Sequence, residues 1–436
     1  MTLATEVQTD PFYQSLVERY SSLPSVSSLR AKAWERFEIK KLPTKRSEAF
    51  TYMPLRMLYA SEFNAKAQSA VSKEMLSPFI YPESKGSVLV YVDGVFSSEL
   101  SCLDSLPSSM AVLALSVAEK GTYAGFLQRR FQQRIEEEQD PFALATMSLH
   151  QEGAFVFIPP KLVIDTPIHC LFVTTTHHIS SFPRLQVAVG SNAQVQFVTT
   201  SIHLGEEEGF FHSGLIDISL DEASSVEHAL YMDLPKKAWG LTAVRATLKK
   251  DSKLNCKNLS TGSKSVRQDY HFSLLGEGAD ATISGLSWLE ENYQSHVHVL
   301  VDHKAPNCTS HQFFKGVLAN SAQSSFIGKI LVRKEAQKTQ AYQLNNNLLL
   351  TEGTIANSKP GLEILADDVK ASHGATVSQL DDEQLFYLKS RGLSEDVAKT
   401  MLVLGFCKDI LDRVSCVSLK EQTITSIEKY LKKQNT

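Results

Sequence analysis

The chain has few features of the kind that usually identify an enzyme. Its six cysteines, at 102, 170, 256, 308, 407 and 416, are scattered through 436 residues and include no CxxC pair. That pattern excludes a disulfide framework and a zinc-ribbon spacing, and fits free thiols in a reducing compartment. Charge of one sign is also scarce: 44 Lys and Arg against 48 Asp and Glu leave a formal charge of −4. Without a basic footprint, nucleic acid is not an expected partner. No run of apolar residues reaches the ~18–20 needed to cross a bilayer as a helix. The amino terminus, MTLATEVQTDPF, lacks a basic segment followed by an apolar one, so no leader and no membrane are read there. A cytoplasmic protein is expected. GxxxxGK[ST], HExxH and GxSxG are all missing, and Gly276-Glu277-Gly278 reads as a turn between strands. The chain is therefore expected to bind no nucleotide and not to be an enzyme.

What is present is periodicity of two kinds. Near the start, Asp10-Pro11 precedes Phe12, Leu16 and Tyr20, and Leu29, Ala33 and Phe37 recur at i, i+4 and i+8, so two helices are expected. Lys45 and Arg46, in the loop after them, read as solvated. Val88, Val90 and Val92 then alternate ahead of an Asp93-Gly94 turn. A helix is expected over about Ala124–Glu138, its Glu136-Glu137-Glu138 run forming a solvated end.

Beyond Gly153 short alternating segments repeat, each broken by a small turn cluster. Marks taken after the turns fall at Ala193, Ala223, Ser252, Ala279, Asn307, Ala336 and Val369, a period near 29 residues. Period-2 segments without intervening helices cannot each bury an apolar face, so they must stack as a solenoid. A mainly β fold, a parallel β-helix, is the expected architecture. Helical regions before Gly153 and after Gln379 are expected to cover its ends, giving parts at 1–152, 153–379 and 380–436. In the tail, Asp381 and Gln384 resemble a capping box, Gly392 suits a C′ position, and Ser394 caps a second helix. Val397, Met401 and Leu404 form a stripe on that helix, and Ile424, Ile427 and Leu431 mark a third. Packing within the tail and docking of a partner both remain open uses for these stripes.

Candidate chemistry is sparse. Asp367 and Asp368 are adjacent, and on a strand they would point to opposite faces, which argues against paired-acid glycoside cleavage. His296 and His298 share a strand face, and His303, Cys308 and His311 follow within one coil, a set of residue types that suits iron or zinc. Stacking could also bring Cys256, Cys308 and His373 together. Hydrogen-bonded structural histidines are the plainer reading of all of these.

One run is more specific. Leu362–Arg391, LEILADDVKASHGATVSQLDDEQLFYLKSR, resembles the signature of the SufD family, the D subunit of the Suf iron–sulfur cluster assembly system. LPTKRSEAFTYMPL, YVDGVFSSEL, LLGEGADAT, VDHKAPNCTS and AQKTQAYQLNNNLLL extend the likeness over most of the chain. The resemblance implies a right-handed parallel β-helix between helical regions. It implies a scaffold subunit whose last strands pair edge to edge with a SufB-like subunit, and whose C-terminal helices dock a SufC-like ABC ATPase. A homodimer of the isolated chain is a further expectation. His373, the histidine of SHGAT, is implied to hold transient iron or a nascent Fe–S cluster at the SufB–SufD interface. Two departures stand out: Ala371 occupies a position where many relatives carry cysteine, and Phe50 replaces a tryptophan after LPT. The alternatives are a purely structural interaction subunit, or a carbohydrate-acting β-helix enzyme.

Overall fold

A computed structural model describes residues 10–64, 70–176, 178–205 and 209–434. The leader reading at Met1–Phe12 thus falls mostly outside the described residues. From Ile168 onward successive strands alternate between two ten-stranded sheets, a front sheet ending at Val369–Ser378 and a back sheet ending at Ile355–Ile364. Within each sheet every coil pairs in parallel with the next. In the front sheet Lys253 lies over Ser225, Asp280 over Lys253, Thr309 over Asp280 and Gln340 over Thr309. This is the expected mainly β solenoid, of about eight turns and a period of about 29 residues.

The turns explain the period. Asn192, Ala223, Asp251, Gly278, Asn307 and Lys338 all have positive φ. The amide of each donates to a carbonyl in the turn of the following coil, at Glu222, Lys250, Glu277, Pro306, Gln337 and Asp368 respectively. The next residue in each turn points inward, where only a small side chain fits between coils. Ala193, Ser224, Ser252, Ala279, Cys308 and Thr339 form this stack, all fully buried. The sequence marks at Ala193, Ser252 and Ala279 lie in this stack, and Val369, partly buried, pairs with Thr339 at its last rung. Ala223 and Asn307 fall one residue early, on the left-handed turn residue, and Ala336 three early, because that turn is longer. Inside the coils, alternate residues such as Val226, Cys256, Tyr270, Ile283 and Val299 form one continuous apolar core.

The helices do not cover the solenoid's ends, as the sequence led us to expect. They cover its sides. Outward-facing Phe211, Leu215, Trp239, Leu241 and Ala243 on the back sheet pack against Phe12, Phe37, Phe50 and Phe142 of the amino-terminal helical region. Outward-facing Tyr231, Leu259, Leu286, Trp288 and Val317 on the front sheet pack against Val403, Cys407, Ile410, Ile427 and Leu431 of the tail. Both faces of these strands are apolar, so burying the outer face requires a lateral layer. The helix Pro141–Leu149, buried at every position, supplies much of the back layer.

The amino-terminal end is closed by strands instead. Val88–Val92 pairs in parallel with Ile168–Thr174 and turns at Asp93-Gly94, both with positive φ, into antiparallel Val95–Cys102. At the carboxy-terminal end, the last strand of each sheet is paired on one side only.

The solvated reading of Glu138 is also corrected. The helix ends at Glu137, and Glu138 is buried, accepting from Arg245 Nε at 2.8 Å and Nη2 at 2.9 Å. The same guanidinium meets Asp269 at 2.6 Å, and Asp217 joins Arg130 and Arg134 nearby. Opposed charges hold the carboxyls of Asp217 and Asp269 well below the ordinary range in spite of burial. These ion pairs fasten the helical layer to the back sheet.

Candidate functional site

His373 lies in the middle of the terminal front strand. Register places it over Gln343, which lies over Gln312, then Ile283, then Cys256. These five residues form one column whose side chains face the inside of the solenoid. Val369 and Ala371 have the same parity as His373 and pack against buried Ile330 and Val332. No coil follows, so His373 faces inward yet is exposed. It is the last rung of an interior column that opens to solvent.

The interior changes character beneath it. Earlier coils hold single polar side chains in these columns, such as His228 and Asn258, but here four amides, Gln312, Gln343, Asn345 and Asn347, are buried together. Gln343 Nε2 donates to Gln312 Oε1 at 2.6 Å, and Asn347 Nδ2 donates to Asn345 Oδ1 at 2.8 Å. Gln343 Oε1 is buried and has no hydrogen-bond partner among the described residues. Leaving such an acceptor unpaired costs about 1–3 kcal/mol. Sequence reasoning did not single out these amides. The available signal was three amides, Gln343, Asn345 and Asn347, at alternate positions of one strand.

The other candidates separate. Cys256 shares the column of His373 but lies four strands below, roughly 19 Å at ordinary strand spacing. Cys308 belongs to the turn stack, with Sγ near the carbonyls of Gly276 and Pro306. Burial pushes the Cys256 thiol up to about 12 and the Cys308 thiol up to about 11, so neither is poised as a thiolate. His296 is bonded to Ser325 Oγ at 2.8 Å and Gln294 Oε1 at 3.2 Å, and His298 to Asp269 Oδ2 at 2.8 Å. His303 bonds Ser310 Oγ at 2.8 Å, while His311 stacks on Tyr342. Among the described residues, no group of three or more His, Cys, Asp or Glu side chains could hold a metal ion. His373 belongs to no such group. Asp367 and Asp368 sit in the exposed bend before the last strand, so the strand-face argument applied to them does not hold. Phe50 places an aromatic ring under the Arg267 guanidinium, 4.2 Å from the centroid.

The tail has a second exposed surface. Its three helices run Asp382–Ser390, Glu395–Leu411 and Val417–Gln434. Asp381 caps the first, Ser394 caps the second, and Gly392 between them has φ +90°. The second helix buries Ala398, Val403, Cys407, Ile410 and Leu411. The stripe read from sequence divides: Leu404 packs on the front-sheet cluster, while Val397 and Met401 are exposed, as are Phe386 and Tyr387 on the first helix. No helix of the described residues is long and apolar enough to cross a membrane.

These features define a class: a two-sheet parallel β-solenoid, clad in helices on both flanks, with one unpaired edge carrying an inward-facing histidine. Comparison with known proteins gives the family. Residues 172–406 match the model of the SUF system FeS cluster assembly SufBD core domain, and residues 12–170 that of the SufBD protein N-terminal region. An iron–sulfur cluster assembly SufBD family protein of Synechocystis is 30% identical over 87% of this chain and 85% of its own length. The chloroplastic protein ABCI7 of Arabidopsis thaliana is 25% identical over 95% of this chain and 90% of its own. The iron–sulfur cluster assembly protein SufD of Escherichia coli is 35% identical over 38% of this chain and 39% of its own. The chain belongs to the SufBD family and is SufD-like. Its work lies in iron–sulfur cluster biogenesis, as a scaffold.

Proposed function

We propose that this chain is the subunit of a cluster-assembly complex that presents His373 to iron or a nascent cluster at a junction with a SufB-like partner. The observation that carries this reading is the place of His373 on the last, half-paired strand, facing an interior column open to solvent. A second solenoid pairing on Val369–Ser378 and Ile355–Ile364 would continue both sheets and enclose the imidazole between the two chains. Iron, as cargo, needs several donors. This chain offers one imidazole there, with Ala371 in place of a thiol, so the remaining donors come from the partner. An imidazole nitrogen supplies the lone pair for such a bond.

Residues 380–436 form the docking unit for a SufC-like ABC ATPase in this reading. Exposed Phe386, Tyr387, Val397 and Met401 supply apolar anchors, and the buried side of Glu395–Leu411 carries motion to the front sheet. The chain itself performs no hydrolysis. Free, largely buried cysteines fit work in the reducing cytoplasm. The test is complementation of cells that depend on this chain, with His373→Ala produced at wild-type level and checked for folding by circular dichroism. Loss of Fe–S enzyme activities is expected, and full complementation by the folded variant overturns the assignment. The alternative of a purely structural subunit predicts that full complementation.

A further inference from the structure

Gln343 stands directly beneath His373 in the register, and its two amide atoms are used differently. The nitrogen is committed downward to Gln312 Oε1 at 2.6 Å, which shows that one rung of this column is within hydrogen-bond reach of the next. The oxygen is buried without a partner among the described residues, and the next rung in its column is His373. The neighbouring column does not compete, since Asn345 and Asn347 bond each other. On the facing back strand, Gly328 leaves space for this amide: a Cβ there would collide with Gln343 Nε2. A glycine opposite and a glutamine below together make room for a directed polar column.

We propose that Gln343 is a positioning residue for His373. Its Oε1 accepts a hydrogen bond from one ring nitrogen, which fixes the proton on that atom. The other nitrogen then carries the lone pair, and it is directed out of the open end toward an incoming metal ion. Gln312 Oε1 engages the nitrogen end of the Gln343 amide, which leaves Gln343 Oε1 for the rung above, while Gln312 Nε2 is itself buried without a partner among the described residues. Hydrogen bonds of this kind set tautomer and ring orientation in metal-binding histidines. The purpose assigned to this bond rests on the reading of His373 as a ligand, while the bond itself, not closed in this structure, is inferred from the register and the unpaired oxygen.

The test uses the full chain labelled with ¹⁵N in its imidazole rings, at a pH above the ordinary titration range of histidine. Long-range ¹H–¹⁵N correlation spectra report which nitrogen of each ring is protonated. The chain has thirteen histidines, and the His373 signals are those missing from His373→Ala. One tautomer is expected to dominate in the wild type. Gln343→Leu, which removes the acceptor, should shift the tautomer ratio several-fold toward a mixture, and Gln343→Glu, which keeps an acceptor, should restore the wild-type state. Should Gln343→Leu fail to fold by circular dichroism, Gln343→Ser, too short to span the rung, takes its place. A tautomer ratio unchanged in the folded acceptor-less variant overturns the proposal and leaves the ligand reading intact. Normal cluster assembly by His373→Ala does the reverse.

Discussion

His373 and Gln343 are register partners with side chains on the same inner face of the solenoid, yet one is exposed and the other buried. The difference arises because coils stop at the strand Val369–Ser378. A residue that any earlier coil would have made part of the core becomes, at the last coil, a side chain facing outward through an open end. Termination of the repeat creates the site.

The ion pair between Arg245 and Glu138 anchors the helical layer to the back sheet, and both groups are almost completely buried. Removing one partner strands the other charge in the interior. Arg245→Ala is expected to lower unfolding free energy by about 3–5 kcal/mol, read from urea denaturation. A loss below about 1 kcal/mol would show that the layer is held by its apolar contacts alone.

Cys308 occupies a turn-stack position filled by Ser224, Ser252 and Thr339 in other coils. Cys308→Ser should therefore fold with stability within about 1 kcal/mol of wild type and support cluster assembly. Cys308→Leu should cost about 1–3 kcal/mol by overpacking the stack. Loss of assembly in a folded Cys308→Ser variant would instead make this thiol part of the chemistry.

Burial depresses the imidazoles of His169 and His296 to about 3, and those of His212, His228 and His303 to about 4. Each is neutral in the fold, so the unfolded chain binds more protons as pH falls. Stability from this source is complete above about pH 6.5 and is lost toward pH 3–4, at up to about 1.4 kcal/mol per pH unit for each ring. The urea midpoint at pH 5 should lie well below that at pH 7.5. Equal midpoints would contradict the buried, neutral assignment.

Phe386 and Met401 are exposed apolar side chains on the first two tail helices. Replacing both by serine should change stability by less than about 1 kcal/mol, since each is a surface substitution. Co-purification of a SufC-like ATPase should fall at least tenfold. Undiminished ATPase binding would move the docking surface elsewhere on the chain.

The architecture was legible because it is repetitive. Period-2 segments at intervals near 29 residues admit a parallel solenoid, and the left-handed turn residues recur with small neighbours that sequence marks can follow. The turn at Asp93-Gly94 and the caps at Asp381 and Ser394 depend on local chemistry and were equally plain. The placement of the helical layers was not. Strands such as Trp239–Leu248 are apolar on both faces, and alternation cannot show which face meets a core and which meets a helix. Glu138 looked solvated because its partner, Arg245, lies more than a hundred residues away. The resemblance at SHGAT pointed to His373, but that the ring faces the interior follows only from counting register through Gln312 and Gln343.

The central claim, that His373 donates to iron at a junction between chains, is tested most directly on the complex reconstituted anaerobically from this chain, a SufB-like subunit and a SufC-like ATPase. Bound iron and the visible absorption of the cluster are measured for wild type and for His373→Ala in complexes of matched subunit composition. The complex with His373→Ala should assemble with all three subunits and lose most of its cluster absorption. Equal iron and equal absorption in the two complexes would contradict the account.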